Sequence, residues 1–246
     1  MFRVEENVMI RNEGPDPNEI NLMVFPALGE SFLAFLGGAS YPCVGAKSAL
    51  SRGSIEAHEF GRLGDHDNDR PMVDGLSKFV SMIEARACEK DMVHSYVAIF
   101  HGPIDMHERR FESLMWSQLW RIHRLDVLAG NLPSNEVSSD TDSPLFSLSI
   151  SGHPFFLIGL HAQASRLARR FSHPVLVFNS HRQFEKLRKD GRYRKIQAAT
   201  RARDIKLQGS VNPNLADFGE ASEARQYSGR EAEDGWRCPF DFGEKR

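Results

Sequence analysis

Residues 146–180, FSLSISGHPFFLIGLHAQASRLARRFSHPVLVFNS, constrain the fold more than any other part of the chain, because three periodicities follow one another there. Phe146, Leu148 and Ile150 alternate with Ser147 and Ser149, the two-residue period of a strand with one face on a core. Ser151-Gly152 supplies a turn, since glycine lacks the Cβ that penalises positive φ. Phe155 to Leu160 is apolar apart from Gly159, which predicts a second, more deeply buried strand antiparallel to the first. Beyond His161, the positions Ala164, Leu167, Ala168 and Phe171 fall at helical spacing, and a short amphipathic helix is expected. Pro174 restarts the chain as the strand Val175–Phe178. His161 thereby stands where a strand hands over to a helix, a kind of junction that often carries function. A histidine that only satisfies backbone groups fits the same place.

With 246 residues, 41% of them hydrophobic, the chain can bury a real core. No Gly/Ser or Pro tract divides it, so one domain over residues 23–246 is expected behind a polar lead-in over 1–22. The net charge of −2 argues against a nucleic-acid partner. No apolar run is long enough to cross a bilayer and the N-terminus lacks the apolar centre of a secretory signal, which together suggest a cytoplasmic protein with no membrane partner. Cys43, Cys88 and Cys238 are widely spaced and odd in number, as suits reduced thiols. Neither CxxC nor HExxH occurs, so an ordinary zinc site has no support.

Along the chain, Phe32, Leu33, Phe35 and Leu36 form a helix-like patch closed by Gly37-Gly38. Tyr41-Pro42-Cys43 leads into a short helix over Val44 to Leu50, and Cys43 falls in its first turn, where unpaired amides favour a thiolate. A buried thiol filling a small space is the alternative. Arg52 to Arg70, with His58, His66, Asp65, Asp67 and Asp69, reads as a solvated loop, a divalent-metal cluster being the other reading. Asp74 caps a helix through Ala87, with Cys88 packed near its end. Tyr96 to Phe100 is a strand. The Asp105-x-x-Glu108 capping box opens a helix to about Leu128, with Phe111, Met115, Leu119 and Ile122 inward and Trp116 and Trp120 beside them. Gly130 to Pro144 is turn formers and acids, a mobile loop. Ser180 and Gln183 cap a further helix, and the basic run Arg182 to Lys206 suits nucleic acid, ligand carboxylates or a solvated face. From Ile205 onward no period holds, yet Leu207, Tyr227, Trp236 and Phe240 are apolar anchors, so an ordered irregular lobe is expected. The expected class is α+β: a mostly antiparallel sheet with helices on one side.

Several blocks resemble the YqcI/YcgG family: His153-Pro154-Phe155-Phe156, Gly159-Leu160-His161, Ala164-Ser165-Arg166, and Val177-Phe178-Asn179 with His181, Gln183, Phe184 and Glu185. Asn212-Pro213, Ser222-Glu223-Ala224-Arg225-Gln226-Tyr227-Ser228-Gly229 and Trp236-Arg237-Cys238-Pro239-Phe240 extend the resemblance. Tyr41-Pro42-Cys43 is similar to the family's Phe-Pro-Cys with one aromatic exchanged. Members with an assigned role are haem-dependent oxygenases that hydroxylate a nitrogen of arginine or related guanidines. The resemblance therefore implies haem b, a guanidine or amine substrate, dioxygen and an external reductant. A haem site needs an axial donor, an apolar slot and cations for the propionates. His161 is the expected iron ligand, with His153 as a second imidazole and Cys43 or Cys238 as thiolate rivals. Arg166 and Arg225 are suited to propionates, and Glu220 and Glu223 to a guanidinium. A non-catalytic haem or small-ligand binding protein is the alternative.

Overall fold

Ser151 and Gly152 both take positive φ, 52° and 68°, the pair of left-handed residues that a two-residue hairpin turn requires. Asp126 holds this turn by accepting the Ser151 amide at 2.8 Å. The turn joins β3 (Leu148–Ile150) to β4 (His153–Leu160), in the register Leu148 opposite Phe155. With β1 (Ile55–Arg62), β2 (Ser95–Gly102) and β5 (Val175–Ser180), these strands make a five-stranded sheet in the order β1-β2-β5-β4-β3. β1 runs parallel to β2, and the other three pairings are antiparallel. The class is α+β, as expected. The computed structural model describes residues 27–86 and 93–240, so the lead-in over 1–22 and Cys88 lie outside the described residues.

Helices cover both faces of the sheet rather than one. The reason lies in β2 and β5, whose alternate residues are apolar on both sides and therefore need two covers. Tyr96, Ala98, Phe100, Leu176 and Phe178 face α3 (Asp69–Ala85) and α4 (Glu108–Leu128). Val97, Ile99 and Val175 point the other way, toward Phe32 and Leu36 of α1 (Leu28–Gly37). On that second side lie also α2 (Val44–Ser51), α5 (His181–Lys189) and α6 (Arg192–Gln208).

Three local expectations are corrected. The segment read as a solvated loop contains β1, an edge strand whose apolar signal is thin: Ile55, Ala57 and Phe60 are only partly buried. His58 stands exposed on that edge, with its ring stacked on Tyr96, centroids 4.6 Å apart. α3 starts at Asp69, not Asp74, and takes Pro71 in its first turn, where a missing amide hydrogen costs nothing. The helix expected after Ala164 is reduced to a 3₁₀ turn over Leu167–Arg169. Its backbone is claimed by neighbours: Leu167 N donates to Gln208 Oε1 at 2.8 Å and His161 N to Arg169 O at 3.1 Å.

The C-terminal lobe is ordered and irregular, with one short helix, α7 (Ala224–Tyr227). Tyr227 anchors it by donating its hydroxyl to Phe155 O at 3.1 Å while accepting the Leu148 amide at 3.3 Å. Arg169 ties the same lobe to the end of β4, donating to Gly159 O and Tyr227 O, each at 3.1 Å.

Candidate functional site

Between the second face of the sheet and its helices lies a cavity of about 430 Å³, within the range of small-molecule sites. Its floor is Val97, Val177 and Ile158 of the sheet, its walls include Phe32, Leu36 and Phe184, and α6 closes it with Tyr193, Ile196 and Thr200. The hollow exists because this side is framed by the short α2 and by α6, which buries none of its residues fully. Neither helix fills the space above the sheet.

Cys43 opens onto this cavity. It is the N-cap of α2, and its Sγ accepts the Ala46 amide at 3.4 Å. Burial pushes its thiol pKa up, while the Ala46 and Gly45 amides and the Arg169 charge pull it down. The thiol is nevertheless partly exposed, which fits a group surrounded by protein but bordering an internal space. Tyr41 stands beside it and is likewise raised, chiefly by burial and then by the Cys43 charge. The lining also contains Arg166, Arg169, Arg192, Arg201 and Asp204. Arg166 is spoken for: it pairs with Asp204 Oδ2 and donates to Ser210 O at 2.8 Å and Ser210 Oγ at 3.0 Å. Two polar atoms of the lining are buried without a partner, Asp204 Oδ1 and Arg201 Nε.

Of the residues singled out from sequence, Cys43 and Arg166 meet at this cavity, and the others do not. His161 lies on the opposite face of the sheet, 1% exposed, its ring stacked on Phe111 at 4.5 Å. Its Nδ1 has no hydrogen-bond partner, and burial holds its pKa down at about 4. The same face is closely packed at Gly159, where a Cβ would sit 2.7 Å from Phe111 and 2.9 Å from Tyr227 O. His153 is also on that packed side, its Nε2 2.8 Å from Ser180 Oγ and its Nδ1 3.3 Å from Arg182. Burial, with the nearby Arg182 charge, lowers it to about 4.

Cys238 packs against the α3–α4 core, and burial raises its thiol to about 12. Arg225 closes the C-terminal lobe on itself by donating to Trp236 O at 3.1 Å and Glu233 O at 3.2 Å. It shares an open groove with Glu220. Glu223 is 4% exposed, and burial lifts its pKa to about 8. His181, 3.8 Å from it, is lowered by burial, so at neutral pH the two meet as uncharged groups rather than as an ion pair.

Sequence reasoning gives Asn179 and Asp204 no site role, and it reaches Arg201 only within the basic run Arg182 to Lys206, for which ligand carboxylates are one of three readings. Asn179 left a signal, an amide ending the alternation Val175, Val177 on one face of β5. Neither Arg201 nor Asp204 could be placed on a cavity face from sequence, because the few apolar residues of α6 are spread round it, Ile196 and Ile205 on opposite sides.

Among the described residues no helix is long and apolar enough to cross a membrane, and no cluster of three or more His, Cys, Asp or Glu side chains is placed to hold a metal ion. Residues 32–241 match the YqcI/YcgG family. No curated protein and no solved structure matches the chain.

Proposed function

The chain belongs to the YqcI/YcgG family, and we propose that it is a haem-dependent oxygenase that hydroxylates a nitrogen of a guanidino or amino small molecule. Haem b is assigned to the Cys43 cavity. One observation carries the reading: a soft donor atom, apolar walls and cations share a hollow of about 430 Å³, and a haem site requires those three things. His161 is stacked on Phe111 in packed surroundings, which favours Cys43 as the donor.

When bound, haem supplies the binding and reduction of dioxygen, with electrons from an external reductant. The chain's own residues do the rest. Cys43 gives up its proton on meeting a metal ion, which offsets the burial that keeps the free thiol protonated. Arg201 on α6 offers an unpartnered Nε to a carboxylate of the cofactor or substrate. Asp204 lines the same space and has a buried Oδ1 without a partner, an acceptor for an amine or guanidinium hydrogen. The apolar walls exclude water and so strengthen both contacts.

Absorption spectra of the purified protein, grown with haem precursor, test the reading. The wild type is expected to show a Soret band, with the red-shifted ferrous–CO band of thiolate ligation. Cys43→Ala loses that shifted band and His161→Ala keeps it. The reverse pattern overturns the ligand assignment, and a wild type without any Soret band overturns the function. Haem retention with no dioxygen consumed on any guanidine offered returns the non-catalytic haem-binding alternative.

A further inference from the structure

On the cavity face, Val97 of β2 and Val175 and Val177 of β5 are apolar, and the two strands turn polar where Ser95 on β2 stands directly opposite Asn179 on β5. Both line the Cys43 cavity, and each is 7% exposed. The strand ladders do not need them, because backbone pairs already satisfy β2, β5 and β4 at these positions. Val175 and Val177 precede Asn179 on the same face, and a third valine would continue the stripe with better strand propensity. Asparagine is depleted in strands, and burying its amide costs free energy wherever its hydrogen bonds are left unmade.

The amide is also held in one orientation. Ser95 Oγ donates to Asn179 Oδ1 at 2.7 Å, and Asn179 Nδ2 points toward Phe156 O at 3.4 Å. The Phe156 carbonyl can only accept and so fixes the nitrogen at that end, which leaves the Ser95 hydroxyl, able to donate or accept, to donate to the oxygen. An amide nitrogen carries two hydrogens, and among the described residues this one makes a single long bond. The remaining hydrogen belongs to a side chain that lines the cavity.

We propose that Asn179 is the ligand-orienting donor of this cavity: its Nδ2 donates to an acceptor atom on the molecule held there, and Ser95 is the positioning residue that keeps the amide turned that way. The inference rests on the haem reading above and adds a hydrogen-bond donor on the sheet side, facing the helical side that carries Cys43. The ligand class it selects is one with an exposed acceptor, such as a small diatomic or anion bound at the iron.

Carbon monoxide and cyanide are the probes. Asn179→Leu keeps the branched outline of the side chain, somewhat enlarged, and removes the donor. Its Soret band is expected to match the wild type, its ferrous C–O stretch to move up, and its ferric cyanide affinity to fall about five-fold, the loss of one neutral hydrogen bond. Ser95→Ala keeps the amide without its orienting hydroxyl, and the stretch is expected to broaden and move part of the way. An unchanged stretch and cyanide affinity in Asn179→Leu, with a normal Soret band, overturns the assignment of Asn179 and leaves the haem reading standing. A wild type with no Soret band overturns both. Should Asn179→Leu fail to fold, Ser95→Ala decides alone: a stretch identical to the wild type overturns the proposal.

Discussion

On the α3–α4 side of the sheet, Phe79, Phe111, Phe155 and Phe178 are at most 1% exposed, and Gly159 exists to let Phe111 and the Tyr227 carbonyl approach within what would be 3 Å of a side chain. On the α1–α2 side, Val97, Val177 and Ile158 look into about 430 Å³ of space. Both sides use the same apolar alphabet, but only one is closed by long helices that reach the strands. The packed side holds the fold, and the hollow side is left to hold something else. His161, His153 and Glu223, conspicuous in the sequence, belong to the packed side; Cys43 and Asn179 belong to the hollow one.

The largest expected effects come from treating the two sides alike. Phe111→Ala empties a fully buried aromatic site and is expected to cost about 3–5 kcal/mol. Gly159→Ala drives a methyl into Phe111 and should cost about 1–3 kcal/mol. Ala46→Leu, on the cavity wall, adds three carbons and is expected to change stability by less than about 1 kcal/mol. It should lower haem uptake instead. Urea denaturation of the three variants checks this, and an Ala46→Leu penalty equal to that of Gly159→Ala would erase the distinction between the sides.

A second difference is the charge chemistry buried on the packed side. Glu223 is raised by burial from 4.5 to about 8, so between those values the folded state keeps a proton that the unfolded state has lost, and stability falls as pH rises. His153 and His161 are lowered by burial from 6.5 to about 4; there the unfolded state holds the protons, and stability rises with pH through that window. Two rising contributions oppose one falling contribution below pH 6.5, and only the falling one remains above it. A stability maximum near pH 6.5 is expected from these three groups. Glu223→Gln removes the alkaline decline, a gain on the order of a few kcal/mol at pH 8, and shifts the maximum upward. Denaturant midpoints at pH 5, 6.5 and 8 measure it; an alkaline limb that is identical in the variant would mean that Glu223 is ionised in the fold.

The packed side was the legible one. Its residues alternate or repeat cleanly, so β2, β4, β5 and α4 follow from the periods of Tyr96–Phe100, Phe155–Leu160, Val175–Phe178 and Phe111–Ile122. β1 was not legible, because an edge strand half open to water keeps few apolar residues. Cys43 could be placed at a helix start from Pro42 and the run after it, since capping is local. That the same thiol faces a hollow could not be read, because a cavity is made by residues that fail to fill space. The position of His161 at the end of β4 was readable as well, but the face it takes depends on counting from Phe155 through Gly159, and alternation assigns it to the α4 side.

The smallest expected effect concerns how the cavity opens. α4 has eight fully buried residues and α6 has none. α6 is fastened mainly by polar bonds: Val44 N to Thr200 Oγ1 at 3.2 Å, Gln197 Nε2 to Asp217 Oδ1 at 2.6 Å, and the Arg166–Asp204 pair. Gly191 and Gly209 bracket it at φ 75° and 81°, with nothing within 4 Å of where a side chain would be. A segment so attached opens at a fraction of the global unfolding free energy. Hydrogen exchange at α6 amides is therefore expected to be on the order of 100-fold faster than in α4. Asp204→Asn, which weakens the ion pair to Arg166, should quicken α6 further and leave α4 unchanged. Alkylation of Cys43 should then speed up in step with α6 exchange, because α6 closes the cavity onto which the thiol opens. Equal protection of α4 and α6 would instead make the helix over the hollow as firmly held as those on the packed side.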